Sequence, residues 1–236
     1  MATQVLRDPR RLVLSARWQA LAELATQLAE APWSVDDARF AGVMAAGLSV
    51  GEIAHAVAIV GMFSHFTRAA DATGIAPDYA SPLPRLEVDE NRVPAPRPAL
   101  DGRPARAARA PLARVLPDIA AAFSRWREQV FVAAGALTEG DRAVLAQAVA
   151  RALGDAVPGD AVPGDAASVG ALGGSPSHRE VALAAFAEKL TVAPWRMREA
   201  DLEVLRGLGL DDRAILHAIA VVGFQNQDSR VRLALG

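Results

Sequence analysis

The sequence predicts an all-α fold, a helical bundle with internal pseudo-twofold duplication, and two observations carry that prediction. The first is composition. Of 236 residues, 52 % are apolar but only 5 % aromatic, so the core must be built mainly from Ala, Leu and Val. Ala and Leu are the strongest helix formers, and β-branched runs are sparse. The second is a repeat. Residues 17–74 align without a gap to residues 179–236 at a constant offset of 162, with 21 of 58 positions identical. Alanine accounts for some of these matches, but not for Pro32-Trp33 against Pro194-Trp195, or Gly47-Leu48 against Gly209-Leu210. Nor does it account for Ile53, His55, Gly61 and Arg68 against Ile215, His217, Gly223 and Arg230. A duplicated unit of this length builds two copies of one substructure, expected about a local twofold axis.

Each repeat reads as three helices. In the first, residues 16–29 form an amphipathic helix that stops before Pro32. Ser34, with Asp37 three residues on, is the expected cap of the next helix, which ends at Gly47. Ser49 with Glu52 makes a stronger capping box and opens a long helix from Val50 to about Thr73, closed by Gly74. In the second repeat Asp211 takes the place of Ser49. At 100° per residue, Ile53, Val57, Val60 and Ser64 share one face of the long helix. His55, Ile59, Met62 and Phe66 share the opposite one. Both faces are mainly apolar, so this helix is expected to be central and buried on two sides, each repeat burying one histidine.

Three segments lie between the repeats. Residues 80–111 are rich in Pro and Arg and read as a linker between an N-terminal half unit, 1–79, and a second unit, 112–236. Residues 112–153 read as two helices broken near 135–141, with Thr138–Asp141 as a cap. The twin Asp-Ala-Val-Pro-Gly runs at Asp155 and Asp160 open a Gly- and Ser-rich stretch, 155–177, that suits neither helix nor strand and is expected to be a surface loop.

Composition also bounds function. The net charge of −2 gives no bulk attraction to polyanions or membranes. Residues 1–11 are polar, with no apolar stretch behind them, and the longest apolar run, 53–66, is short for a bilayer span. A soluble cytoplasmic protein is therefore expected. Cysteine is absent, which excludes disulfides, thiolate metal sites and thiol chemistry. The arginines of the linker region, Arg85 to Arg114, lack interleaved aromatics, so no nucleic-acid partner is expected.

The second unit resembles the alkylhydroperoxidase D-like proteins, and within them the peroxidase-related branch of the carboxymuconolactone decarboxylase superfamily. Ala185-Phe-Ala-Glu-Lys-Leu-Thr-Val-Ala-Pro, Asp201, Leu205-Arg206, Gly209-Leu210 and Ile215 carry the resemblance, with Phe224, Asn226, Arg230 and Gly236 near the end. It implies a helical bundle that forms oligomers. The family's peroxidase chemistry uses Glu, Cys-x-x-Cys and His. Here Ala143, Asp155, Pro158 and Val162 stand at those positions. The resemblance therefore implies a member that has lost thiol peroxidase activity and acts as a non-redox binding or assembly protein, either as a homo-oligomer or beside a redox-active paralogue. The alternative is a decarboxylase- or isomerase-like enzyme acting on a small carboxylate through histidine acid-base groups.

His55 and His217 are the candidate catalytic pair, because they match in position and an imidazole serves as general acid or base near neutral pH. Against that stands a packing histidine bonded to a backbone carbonyl, which is the commoner fate of such a residue. Neither has a His or carboxylate at i+3 or i+4, so no metal is expected, and no cofactor. Ser64 with Arg68, and Asn226 with Arg230, form candidate ligand-binding pairs suited to a small anion. The plainer reading of these four is a network that satisfies helix packing. His65 is expected at a partly exposed position, His178 in solvent beside the loop, and Trp33 and Trp195 as hydrophobic staples at the helix junctions.

Overall fold

A computed structural model of the chain describes residues 14–75, 110–133, 135–155 and 176–236. Among these the protein is all-α, with nine α-helices and no strand. Most of the linker 80–111 and of the loop 155–177, including Pro158 and Val162, lies outside the described residues.

The first repeat gives α1 (Ala16–Glu30), a 3-10 turn at Pro32–Ser34, α2 (Asp37–Ala45) and α3 (Val50–Thr73). The middle gives α4 (Leu112–Val115), α5 (Pro117–Phe131) and α6 (Glu139–Leu153). The second repeat gives α7 (His178–Val192), a 3-10 turn at Pro194–Arg196, α8 (Glu199–Gly207) and α9 (Asp212–Leu235). Ala16 and His178, Val50 and Asp212, and Thr73 and Leu235 are each 162 positions apart, as are the bounds of the short elements between them. The residue before each turn adopts one uncommon conformation, φ −144° and ψ 62° at Ala31 against φ −144° and ψ 56° at Ala193. The proline after it supplies a fixed φ and needs no hydrogen-bond acceptor, which suits the first position of a helical turn.

The helix starts follow their capping chemistry. Ser49 with Glu52, Thr138 with Asp141 and Ser177 with Glu180 form reciprocal capping boxes, and Asp211 accepts from the Ala214 N–H. At Glu52 the Ser49 N–H and hydroxyl, then Arg17, hold the carboxyl down to about 2. The expected Ser34 cap is replaced. Ser34 lies inside the 3-10 turn, with its hydroxyl donating to the Ala31 carbonyl, and Asp36 caps α2 by accepting from the Arg39 N–H. The proline at 117 divides the first of the two middle helices into α4 and α5, because Leu116 before it is turned out of helical conformation.

The most extensive helix pairing is between α3 and α9. They run in opposite directions. The N-terminal half of α3 (Ile53, Val57) shares a core cluster with Val231 and Leu235 at the end of α9, and Ala72 shares the other cluster with Ile215 and Ile219. Each core thus borrows from the opposite repeat. Trp33 sits in the core formed mainly by α6, α7 and α9, and the end of α9 completes the core of α1, α2 and α3. The helices cross at glycines. Gly61 lies against Gln227, and Gly223 against the ring of His65. These contacts exchange under the 162-residue offset: 61 meets 227 as 223 meets 65.

The expectation that both long helices are buried on two sides holds for α9 and fails for α3. α9 is covered by α5 and α6 on its second face. The corresponding face of α3 is open. Ile59, Phe63 and Phe66 are 48 %, 59 % and 52 % exposed, and His55 is exposed. Among the described residues α3 is also the one helix long and apolar enough to cross a membrane by length and composition, a test that core helices pass as well.

Candidate functional site

The crossing of α3 and α9 gathers the largest set of buried polar side chains among the described residues. Ser64, His65 and Arg68 come from α3, Gln225, Asn226, Gln227, Ser229 and Arg230 from α9, and Thr191 from the end of α7. The four candidate ligand residues, Ser64, Arg68, Asn226 and Arg230, are therefore brought together.

What the arginines do follows from their donors. A helix leaves its last carbonyls unsatisfied and carries partial negative charge at that end. Arg230 spends Nε on the Leu28 carbonyl at 3.1 Å and Nη2 on the Ala29 carbonyl at 3.3 Å, at the end of α1. Its Nη1 donates to the Asn226 carbonyl and, at 2.7 Å, to Asn226 Oδ1. Arg68 does the same in reverse. Its Nη2 donates to the Thr191 carbonyl at 2.8 Å, at the end of α7, and its Nη1 to the Ser64 carbonyl at 3.0 Å. Positions 29 and 191 are themselves 162 apart, so each arginine braces the other repeat at the matching carbonyl. Neither guanidinium forms an ion pair within salt-bridge distance among the described residues. Burial pushes Arg68 down to about 10, with Asp71 opposing. Burial, with the Arg68 charge adding to it, pushes Arg230 well below the usual arginine range.

Several buried polar atoms at the crossing have no hydrogen-bond partner: Arg68 Nε, His65 Nδ1 and both amide atoms of Gln227. Such groups are costly when left dry and are what a trapped water or a small polar guest satisfies. His65, expected near the surface, is buried between Phe66 and Trp126, with the indole 4.5 Å away edge-on. Burial lowers its pKa from 6.5, and the Gly223 backbone opposes the shift.

The two candidate catalytic histidines do not meet. Because α3 and α9 are antiparallel, His55 and His217 lie near opposite ends of the pair. The expectation that each repeat buries its histidine is corrected for His55, which is exposed on the open face of α3. His217 is half-buried, with Nε2 2.8 Å from the Val130 carbonyl, and its ring packs against Gly135. That is the packing arrangement. His178 is exposed at the start of α7. No group of three or more His, Cys, Asp or Glu side chains placed to hold a metal occurs among the described residues.

Two features escaped the sequence reading. One is the Asp141–Arg179 bridge, with Nε and Nη2 on the two carboxylate oxygens at 2.8 and 3.0 Å and Nη1 on the Leu208 carbonyl at 3.0 Å. Arg17, its counterpart, donates to the Gly47 carbonyl and to Glu52. The matching arginines were the available signal. The other is an open groove of about 510 Å³ between α6 and α7, lined by Val144, Gln147, Arg151, Val181 and Glu188 among others. It shares no residue with the crossing, and its Glu180 is committed to the α7 cap.

Compared with known proteins, the chain matches no family model, no curated protein and no solved structure.

Proposed function

We propose that this chain is a non-redox binding or assembly protein, built as an alkylhydroperoxidase D-like bundle that is pseudo-twofold within itself. The repeated element bounds, the antiparallel α3–α9 pair and the reciprocal arginine braces support the symmetry. An isologous contact has this signature, residue i on j and j on i.

One observation carries the assembly reading. On α9, where the chain covers the face itself, the positions matching Phe63 and Phe66 are Gln225 and Asp228. On α3, where the face is open, they are phenylalanines about half exposed. Solubility alone favours the reverse arrangement. Contiguous exposed apolar side chains on one helix mark an interaction surface. The test is replacement of both Phe63 and Phe66 by Ser, followed by native mass spectrometry and circular dichroism. Association with a protein partner, self or other, should vanish while helicity is kept. An unchanged oligomer would sink the reading.

A second reading rests on the unpartnered atoms at the crossing: a small carboxylate or other anion held by Arg68. Acetate should then raise the melting temperature above that in chloride at equal ionic strength, and Arg68→Gln should remove the difference. Equal melting temperatures in the two salts would sink it.

A further inference from the structure

We propose that the open face of α3 is the contact between two copies of this chain, which pair α3 on α3 about a twofold axis near Phe63. The inference rests on the assembly reading above and names the partner.

The face is uncharged. Between Glu52 and Arg68 the helix carries no Asp, Glu, Lys or Arg, so it offers nothing to a charged ligand and excludes partners that dock through ion pairs. Size comes next. From His55 to Thr73 the helix runs about 27 Å at ~1.5 Å per residue. Half its circumference over that length is roughly 500 Å², and two such faces remove about 1,000 Å², the lower limit for a specific interface.

Elimination within a second copy identifies the surface offered in return. Its α6 is already packed against α7 and α9, and its α9 is covered by α5, α6 and α3. Its own α3 face remains, with the same stripe. Such a stripe is self-complementary, as an isologous contact requires. Phe63 lies midway between His55 and Ala70, so pairing centred there brings the two Phe63 side chains together and sets Ile59 of one copy beside Phe66 of the other.

The position of Phe63 makes a charge-swap test decisive. The full chain is followed by sedimentation velocity over a hundred-fold range of concentration. Wild type should sediment as a dimer. Phe63→Glu and Phe63→Arg should each raise the dissociation constant at least ten-fold, with helicity and melting temperature kept because the side chain is exposed. Ile59→Glu should do the same from a second position. Mixing the Glu and Arg variants should restore a dimer holding one of each.

A wild type that is monomeric throughout overturns the proposal, as does a dimer that none of the three variants weakens. Single variants that dissociate without rescue on mixing overturn self-pairing through Phe63 but leave the assembly reading standing. A monomeric wild type that floats with phosphatidylcholine vesicles, and loses this with Phe63→Glu, overturns both in favour of a lipid surface.

Discussion

At the scale of single residues, the arginines are the informative case, because a buried guanidinium without a carboxylate partner needs another source of negative potential. Here that source is the C-terminal end of a helix from the opposite repeat. Removing Arg230 exposes the Leu28 and Ala29 carbonyls and Asn226 at a fully buried point. A hydrogen bond from a charged donor is worth about 1.5–3 kcal/mol. Arg230→Ala should therefore cost about 3 kcal/mol or more in urea unfolding. Arg68→Ala, with one cross-repeat bond, should cost about half as much. Equal and small losses would remove the bracing role. His65 gives a pH prediction with a definite sign. Its folded pKa is lowered below 6.5, so below that pH the unfolded chain binds a proton that the folded chain resists. Stability is then lost as pH falls below about 6.5. His65→Gln, the residue at the matching position 227, should flatten the melting temperature between pH 7.5 and 5.5. An unchanged slope would show that another group is responsible.

At the scale of elements, the crossing glycines differ in a measurable way. A Cβ on Gly223 would overlap His65 Nδ1 and lie 3.0 Å from Cε1, in a ring held by Phe66 and Trp126. A Cβ on Gly61 would meet Gln227 and Val231 at 3.3 Å. Overpacking costs about 1–3 kcal/mol. Gly223→Ala should reach that range and Gly61→Ala should fall below it, and adding His65→Ala to the first should recover most of the loss. Additive effects in the double variant would mean that the ring and the glycine are not coupled.

The helices and their caps were legible in the sequence because capping is local: Ser49 and Glu52, or Thr138 and Asp141, need only a turn of chain to find each other. Burial was less legible. The helical wheel gives α3 and α9 the same two faces, yet which face is covered depends on α5 and α6, elements outside the repeat. His55 and His217 were equivalent by sequence and unlike in surroundings for the same reason. The four polar residues of the crossing were found by the repeat, but their partners, the carbonyls at 28, 29 and 191, carry no sequence signal.

At the scale of the molecule, the two repeats are not separate domains. Trp33 lies in the core of the second, Val231, Ala234 and Leu235 lie in the core of the first, and the arginines cross between them. A fragment covering only residues 14–75 should be largely unfolded, and the full chain should unfold in one transition. Tryptophan fluorescence and far-ultraviolet circular dichroism should therefore report coincident urea midpoints; two separated midpoints would show independent halves.

The α3–α9 pairing has a kinetic consequence. Helical bundles usually fold fast because their contacts are close in sequence, but here the largest interface joins helices about 160 residues apart. A chain made at ~5–20 residues per second leaves α3 waiting roughly 8–30 s for α9. During that wait both apolar faces of α3 are without their final neighbours. Folding of this small all-helical protein is set by the arrival of its last helix.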